Sequence, residues 1–386
     1  MKRVDRKRRK VRLWVALGFI FLAAVTVLAD RMTKDKEFSE EENRMLTGKP
    51  EISMETVANG KFMSQYEKYK SDQFLARDFW VSLKTNVDLL LGKRESNGVF
   101  KGEDGYLLED ISVTDERAYK ENMDAVTAFA GKYPDLKMHM MIVPNAANIL
   151  KEKLPAFAVT EDQDAQLRKT EEIVSGAGIR WIDVSEPLKA HKDEEIYYRT
   201  DHHWTTKGAY YAFQASAEAL GIPGEELKPL EPYTVSGEFN GTLSATSGYE
   251  RGRRENIEIY LPKGEQTEVV VNYVEEKGKS ASMYSSEKLK EKDKYGMFLN
   301  GNHALVDIKT TSEKNRRLLV LKDSYANCFV PFLTPYYREI VLVDPRYYYG
   351  DLDELIEEDR ITDVLFLYNG NTFFTDNNLS GVLESE

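Results

Sequence analysis

The chain has 386 residues and a formal net charge of −12, from 53 Lys and Arg against 65 Asp and Glu. That length allows one large α/β domain with flanking elements, and the acidic balance argues against a general nucleic-acid binder, which needs a basic face to neutralise phosphates. The single cysteine, Cys328, excludes an internal disulfide and a Cys-based zinc site, and reads as a small buried residue.

Lys2, Arg3, Arg6, Lys7, Arg8, Arg9, Lys10 and Arg12 make residues 1–12 a basic leader, and Leu13 to Ala29 follow as an apolar run with no acid or base. The run approaches the lower limit for a membrane-spanning helix, Trp14 supplies an interfacial anchor, and positive flanks stay on the cytoplasmic side. A single-pass anchor over 13–29 is therefore expected, with the bulk of the chain extracytoplasmic. Cleavage after Val27-Leu28-Ala29 is the competing reading. Residues 30–60 are charged and weakly periodic, as in a stalk, and 61–386 read as the main domain. Within Lys61 to Leu91, Phe62, Tyr66, Tyr69, Phe74, Phe79, Trp80 and Leu83 recur at helical spacing and predict helices packing on that domain. Between them, Ser71-Asp72-Gln73-Phe74 and Arg77-Asp78 suit capping and ion pairing.

Asn97 to Leu108 alternates apolar residues about a Gly-Glu-Asp-Gly turn and predicts a β-hairpin. A helix over Tyr119 to Lys132, a strand over Met138 to Val143, a helix over Asp162 to Ser175 and a strand over Ile179 to Val184 follow. Two such βα units imply an α/β, doubly wound, mainly parallel sheet. Asp201 to Leu220 reads as a loop and a helix, and Tyr233 to Val306 as an inserted, partly β region. The α/β pattern then returns with a strand over Arg317 to Leu321, a helix after Ser324, a strand over Ile340 to Val343, a helix over Leu352 to Glu358 and a strand over Asp363 to Leu367.

Asp201-His202-His203-Trp204 places a carboxylate two residues before an imidazole, and residues two apart in extended backbone point the same way. Asp201 can thus orient His203 as a general base. Adjacent histidines beside an acid also resemble metal ligands, but His139, His191 and His303, the other histidines, lie in no ligand motif, and no metal or cofactor is expected. Ser324 follows the apolar strand Leu318-Leu319-Val320-Leu321 at the C-terminal edge of a parallel sheet, where ligands bind in open α/β folds. Its bland role is a helix cap. A serine nucleophile needs oxyanion donors. Asn369, after Val364 to Leu367, is the first choice, with Arg346 after Val343 and Tyr325 beside the serine as further oxyanion or substrate-binding candidates.

Together these residues resemble the DHHW protein family, named for the run at Asp201 to Trp204, and are similar to the alginate O-acetyltransferase group of SGNH hydrolase-like proteins. The likeness extends through Phe38-Ser39-Glu40-Glu41-Glu42-Asn43-Arg44, Ser71 to Phe74, Asn97-Gly98-Val99-Phe100 and Lys322-Asp323-Ser324-Tyr325. Lys322 stands where the GDS motif of SGNH esterases has Gly, and the order of serine and Asp-x-His is reversed. The resemblance implies a circularly permuted SGNH sheet in which Ser324 follows what is ordinarily the first strand. It also implies O-acetyl transfer to a cell-envelope polysaccharide through an acyl-serine, beside a membrane-bound O-acyltransferase partner. An SGNH-type carbohydrate O-acetylesterase and a non-catalytic envelope scaffold or glycan-binding protein are the alternatives.

Overall fold

The segments KMHMMIV and RLLVLK carry apolar residues on both faces, as strands covered on both sides must. In the computed structural model, which describes residues 2–39 and 44–384, they form inner strands of an eight-stranded sheet. Its strands are β1 (Lys137–Val143), β2 (Arg180–Trp181), β3 (Val269–Tyr273), β4 (Gly278–Ser280), β5 (Leu305–Thr310), β6 (Arg317–Lys322), β7 (Glu339–Val343) and β8 (Asp363–Asn369). They lie in the order β4-β3-β5-β7-β6-β8-β1-β2. Strands β7, β6, β8, β1 and β2 are mutually parallel, and β5, β3 and β4 add antiparallel at the β7 edge.

Alternation along the strands feeds two cores. Leu318 and Val320 pack on one face with Ala209, Ala212 and Phe213 of the helix Thr206–Ser216. Leu319 and Leu321 pack on the other with Tyr119, Met123, Val126 and Phe129 of the helix Glu116–Lys132 and Leu352 and Leu355 of the helix Leu352–Glu358. Burying two apolar faces is what doubly wound sheets do, at about 25 cal/mol per Å² of apolar area removed from water.

The order of the parallel strands locates the permutation. Counted from β6, the spatial sequence β7-β6-β8-β1-β2 becomes second, first, third, fourth, fifth, the flavodoxin-like order, with the chain's own start placed before the fourth strand. The reversal of direction falls between β6 and β8, and a crevice at their C-terminal ends is where such folds bind ligands.

The structure departs from the sequence expectations in four places. Residues 233–306, read as an insertion, supply β3, β4 and the start of β5, so this region completes the main sheet. The antiparallel pair Leu230–Phe239 and Glu255–Pro262 forms a separate two-stranded sheet. The helix expected after Ser324 is replaced by two 3₁₀ stretches, Ser324–Cys328 and Val330–Leu333. Pro331 has no N–H to give to a carbonyl four residues back, so an α-helix cannot run through it. The strand predicted over 179–184 shortens to Arg180–Trp181. The hairpin at 97–108 gains a third strand, Glu95–Ser96.

The chain divides into two compact units, residues 1–93 and 94–386, a break at 93/94 where the sequence suggested 60/61. The N-terminal unit contains the helix Lys2–Met32, in which Lys10–Met32 is 23 residues long and apolar enough to cross a membrane or serve as a signal sequence. It also contains the helices Lys61–Asp72 and Arg77–Leu90. The buried Asp72 accepts a two-pronged bond from Arg44, at 2.6 and 3.1 Å, and the Thr47 amide at 2.8 Å, the ion-pair role expected of that motif. Glu40 to Asn43 lie outside the described residues.

One core residue carries a pH dependence. His139, in β1 opposite Leu365 and Arg180, is 5 % exposed, and among the described residues neither ring nitrogen has a hydrogen-bond partner. Burial holds its imidazole down at about 4, against the opposing pull of Asp363. An unfolded histidine titrates near ~6.5, so between that pH and about 4 the unfolded chain takes up a proton first, and stability is lost as the pH falls. His139→Leu is therefore expected to flatten the stability profile over that window, by about 2 kcal/mol relative to the parent, in urea titrations at pH 7 and pH 4.5.

Candidate active site

Strand β6 delivers Ser324 to the crevice, and the turn after it is tied down by its neighbour. In the parallel register Lys322 faces Leu367, which carries the next residues, Asp323 and Ser324, alongside Tyr368 and Asn369 at the end of β8. The buried Asp323 carboxylate accepts the Tyr325 amide on one oxygen and the Asn369 amide on the other, both at 2.9 Å. Residues 198–203 arrive from the opposite direction as a turn closed by the bridge between Tyr197 and Trp204. Two bonds join the segments: the Trp204 indole donates to the Tyr325 carbonyl at 3.0 Å, and the Tyr325 hydroxyl donates to the His202 carbonyl.

The result is a continuous relay. His203 Nε2 lies 2.8 Å from Ser324 Oγ, and His203 Nδ1 lies 2.6 Å from Asp201 Oδ1. Asp201 and His203 are buried, whereas Ser324 is partly open to solvent. Each Asp201 oxygen accepts twice: Oδ1 from the His203 amide and ring, Oδ2 from the Thr242 amide at 2.8 Å and hydroxyl at 2.9 Å. Burial alone pushes the carboxyl up, but His202, His203 and the Thr242 amide outweigh it and hold Asp201 well below the usual carboxylate range. An ionised Asp201 fixes the tautomer with the proton on Nδ1, leaving the Nε2 lone pair for the serine proton. The ligand atoms of Asp201, His202 and His203 also lie within 4.8 Å of one another, but four hydrogen bonds saturate the carboxylate and the His203 ring is bonded at both nitrogens. This donor set is built to move a proton.

Several supports escaped the sequence reading. A Cβ on Gly241 would come within 2.2 Å of Asp201 Cβ, so Gly241 is what lets Thr242 reach the carboxylate. The preceding residue, Thr200, is held by Glu255, whose carboxylate accepts the Arg199 and Thr200 amides at 2.7 and 2.9 Å. Tyr295 stacks on the His203 ring, with centroids 3.7 Å apart and planes 13° from parallel, and its hydroxyl donates to the Ser324 carbonyl at 3.2 Å. Thr242 and Tyr295 both come from the region taken as an insertion, and a Gly-Thr pair or a lone Tyr carries no local signal of its role.

The oxyanion candidates fare differently. Asn369 Oδ1 accepts the Asn371 amide at 3.0 Å and Asn145 Nδ2 at 3.3 Å, while the buried Nδ2 of Asn369 has no protein partner among the described residues. An orphaned buried donor calls for an explanation, and this one stands at the end of β8, tied through its backbone amide to Asp323, the residue before Ser324. Arg346 does not reach toward the serine: its guanidinium is bound to Asp344, at 2.8 and 2.6 Å. Asp344 is fully buried and also faces Lys322 at 3.7 Å, so the arginine balances that charge. Lys322, in the place of the usual Gly, is buried and donates to Asn327 Oδ1 at 2.8 Å, while Asn327 Nδ2 donates to Asn302 Oδ1 at 3.0 Å. Tyr325 is likewise occupied, its amide by Asp323 and its hydroxyl by His202, so it joins segments and has no donor left for substrate. Cys328 is buried, with its thiol pushed up to about 12 by burial, as an inert core residue requires.

Residues 99–281 match the family model described as the SGNH hydrolase-like domain of the acetyltransferase AlgX. The fold is SGNH-like. Among solved structures, the SGNH-like chain is 25% identical to a DHHW family protein from Eubacterium siraeum, with a TM-score of 0.62 over 76% of this chain and 98% of that one. Bacillus cereus PatB1, solved with a sulfonyl adduct, shares the fold at 20% identity, with a TM-score of 0.59 over 72% of this chain and 98% of that chain. Probable alginate O-acetylases AlgJ from Pseudomonas syringae pv. tomato and Azotobacter vinelandii are each 26% identical, over 183 and 208 residues. The SGNH-like chain spans about half the length of these curated relatives, 46% and 52%, and the matches cover the same shares of the chain itself.

Proposed function

We propose that this protein is an O-acetyltransferase that modifies a cell-envelope polysaccharide through an acyl-Ser324 intermediate. Support comes from the likeness to proteins named as alginate O-acetylases and, above all, from the unbroken Ser324-His203-Asp201 relay at 2.8 and 2.6 Å. In the first half-reaction Ser324 Oγ attacks the acetyl carbonyl and its proton passes to His203 Nε2. The tetrahedral oxyanion is held by Asn369 Nδ2, and collapse expels the donor's alcohol, which takes the proton back from His203. In the second, a sugar hydroxyl gives its proton to His203 and attacks the acyl carbon; the bond to Ser324 Oγ breaks, His203 returns the proton to Oγ, and the sugar leaves as the ester. Asp201 stays ionised and balances the imidazolium in both halves.

The apolar helix at Lys10–Met32 supports a single-pass anchor with the enzymatic unit outside the cytoplasm. The acetyl donor on that side would be handed over by a membrane-bound O-acyltransferase partner, since a tethered acceptor enzyme suits a membrane-delivered acyl group. Carbohydrate O-acetyl esterase activity is the second reading, favoured by the partial exposure of Ser324, which admits water. To test the assignment, the purified protein is incubated with 4-nitrophenyl acetate, with and without an envelope oligosaccharide. Acetylated oligosaccharide is the expected product; acetate release unaltered by the sugar, with no acetylated sugar, assigns the site to the esterase.

A further inference from the structure

His202, the second residue of the Asp201 to Trp204 run, plays no part in the relay, yet its tautomer is fixed by it. Thr242 Oγ1 has one proton and gives it to Asp201 Oδ2, because an ionised carboxylate can only accept. The contact of 2.8 Å between Thr242 Oγ1 and His202 Nδ1 must then run the other way, with Nδ1–H donating. The lone pair of a neutral His202 is thereby placed on Nε2. Burial and the adjacent His203 both push the His202 imidazole down, which favours the neutral form. Among the described residues Nε2 has no protein partner, and it is not sealed from solvent. The side chain is 29% exposed, against 1% for Asp201 and 6% for His203. Its ring centroid sits 3.9 Å from that of His203.

Two imidazole acceptors therefore stand side by side, one committed to the serine proton and one open. We propose that His202 Nε2 accepts a hydrogen bond from the hydroxyl vicinal to the one that attacks, so that the pair His203 and His202 reads a 1,2-diol. This rests on the transferase reading of the same site. Sugar rings carry vicinal hydroxyls that meet the two rings through separate oxygens fixed on one frame, whereas water can only bridge them through a single oxygen and brings no further contacts to hold it there. The arrangement thus biases the acyl-enzyme toward sugar and away from hydrolysis.

The test reads how the acyl-enzyme partitions, a ratio that any general loss of acylation leaves unchanged. The full chain is acetylated with 4-nitrophenyl acetate in the presence of a methyl glycoside bearing vicinal hydroxyls or, separately, cyclohexanol. Acetylated acceptor is measured against free acetate. For His202→Phe the ratio is expected to fall about tenfold with the glycoside, the scale of one lost hydrogen bond, and to change little with cyclohexanol. His202→Gln, which puts an acceptor near the Nε2 position, is expected to recover part of the loss. His202→Asn, which can keep only the Thr242 bond, is not. An equal ratio in parent and His202→Phe, or an equal fall with both acceptors, overturns the proposal while leaving the transferase reading intact. No acetylated glycoside from the parent overturns both.

Discussion

Ser324→Ala is expected to lower acetyl-ester turnover by at least about 10⁴-fold, because the nucleophile of a serine relay cannot be replaced by water at the same place. His203→Ala should cost a similar factor, and the double variant little more than either alone, since the two groups act as one proton-transfer unit. Combination of the two losses into a far larger one would contradict a shared step. The fold should not suffer from the serine change: Ser324 Oγ contacts His203, is partly exposed and supports no core packing. The turn that carries it is held by Asp323 and by the joined Trp204 and Tyr325, none of which loses a partner. A melting temperature within a few degrees of the parent, alongside abolished turnover, is the expected combination. Retained turnover would remove Ser324 as the nucleophile.

The parts of this site that sequence made legible are those in which chemistry and local geometry coincide. Asp201 and His203 are two residues apart, so a single extended stretch aligns them, and Ser324 follows six buried or half-buried strand residues whose character names their place. The apolar runs at Lys137–Val143, Arg317–Lys322 and Asp363–Asn369 name the strands, whereas their order in the sheet, which carries the permutation, is set by pairing between segments far apart in the chain. What stayed hidden depends on contacts between distant segments. Thr242 meets Asp201 across 41 residues, through a glycine whose only requirement is the lack of a Cβ. Tyr295 covers His203 from a stretch rich in Lys, Glu and Ser that resembles a solvated loop. Arg346 misled for the opposite reason. It stands at the correct sheet edge, but the buried Asp344 two residues earlier claims it, and an uncompensated buried carboxylate would cost more than a vacant oxyanion position gains.

Asn369→Ala is expected to lower kcat by about 10²- to 10³-fold with little change in KM, the signature of a donor used on the oxyanion and not on the ground-state ester. The direction of its amide is the argument. Two donors, the Asn371 N–H and Asn145 Nδ2, converge on Oδ1, so a flipped amide would set donors against donors. Nδ2 is forced to the other side, where no protein acceptor meets it. Asn145 is itself locked, its amide and side-chain oxygen engaging Gln163 at 2.7 Å each, and a Cβ on Gly370 would strike the Gln163 amide at 2.4 Å. This backing keeps the donor preorganised, so little of its effect is lost to reorientation during reaction. Asn369→Asp gives the sharper reading. It keeps the size but puts an acceptor where a donor is needed, and a carboxylate there would repel the developing negative charge. Its kcat should therefore fall below that of Asn369→Ala, whereas a position serving only as the helix cap of residues 370–375 would tolerate aspartate well, Asp being among the best N-caps. An aspartate variant as active as the parent would remove Asn369 from the oxyanion site.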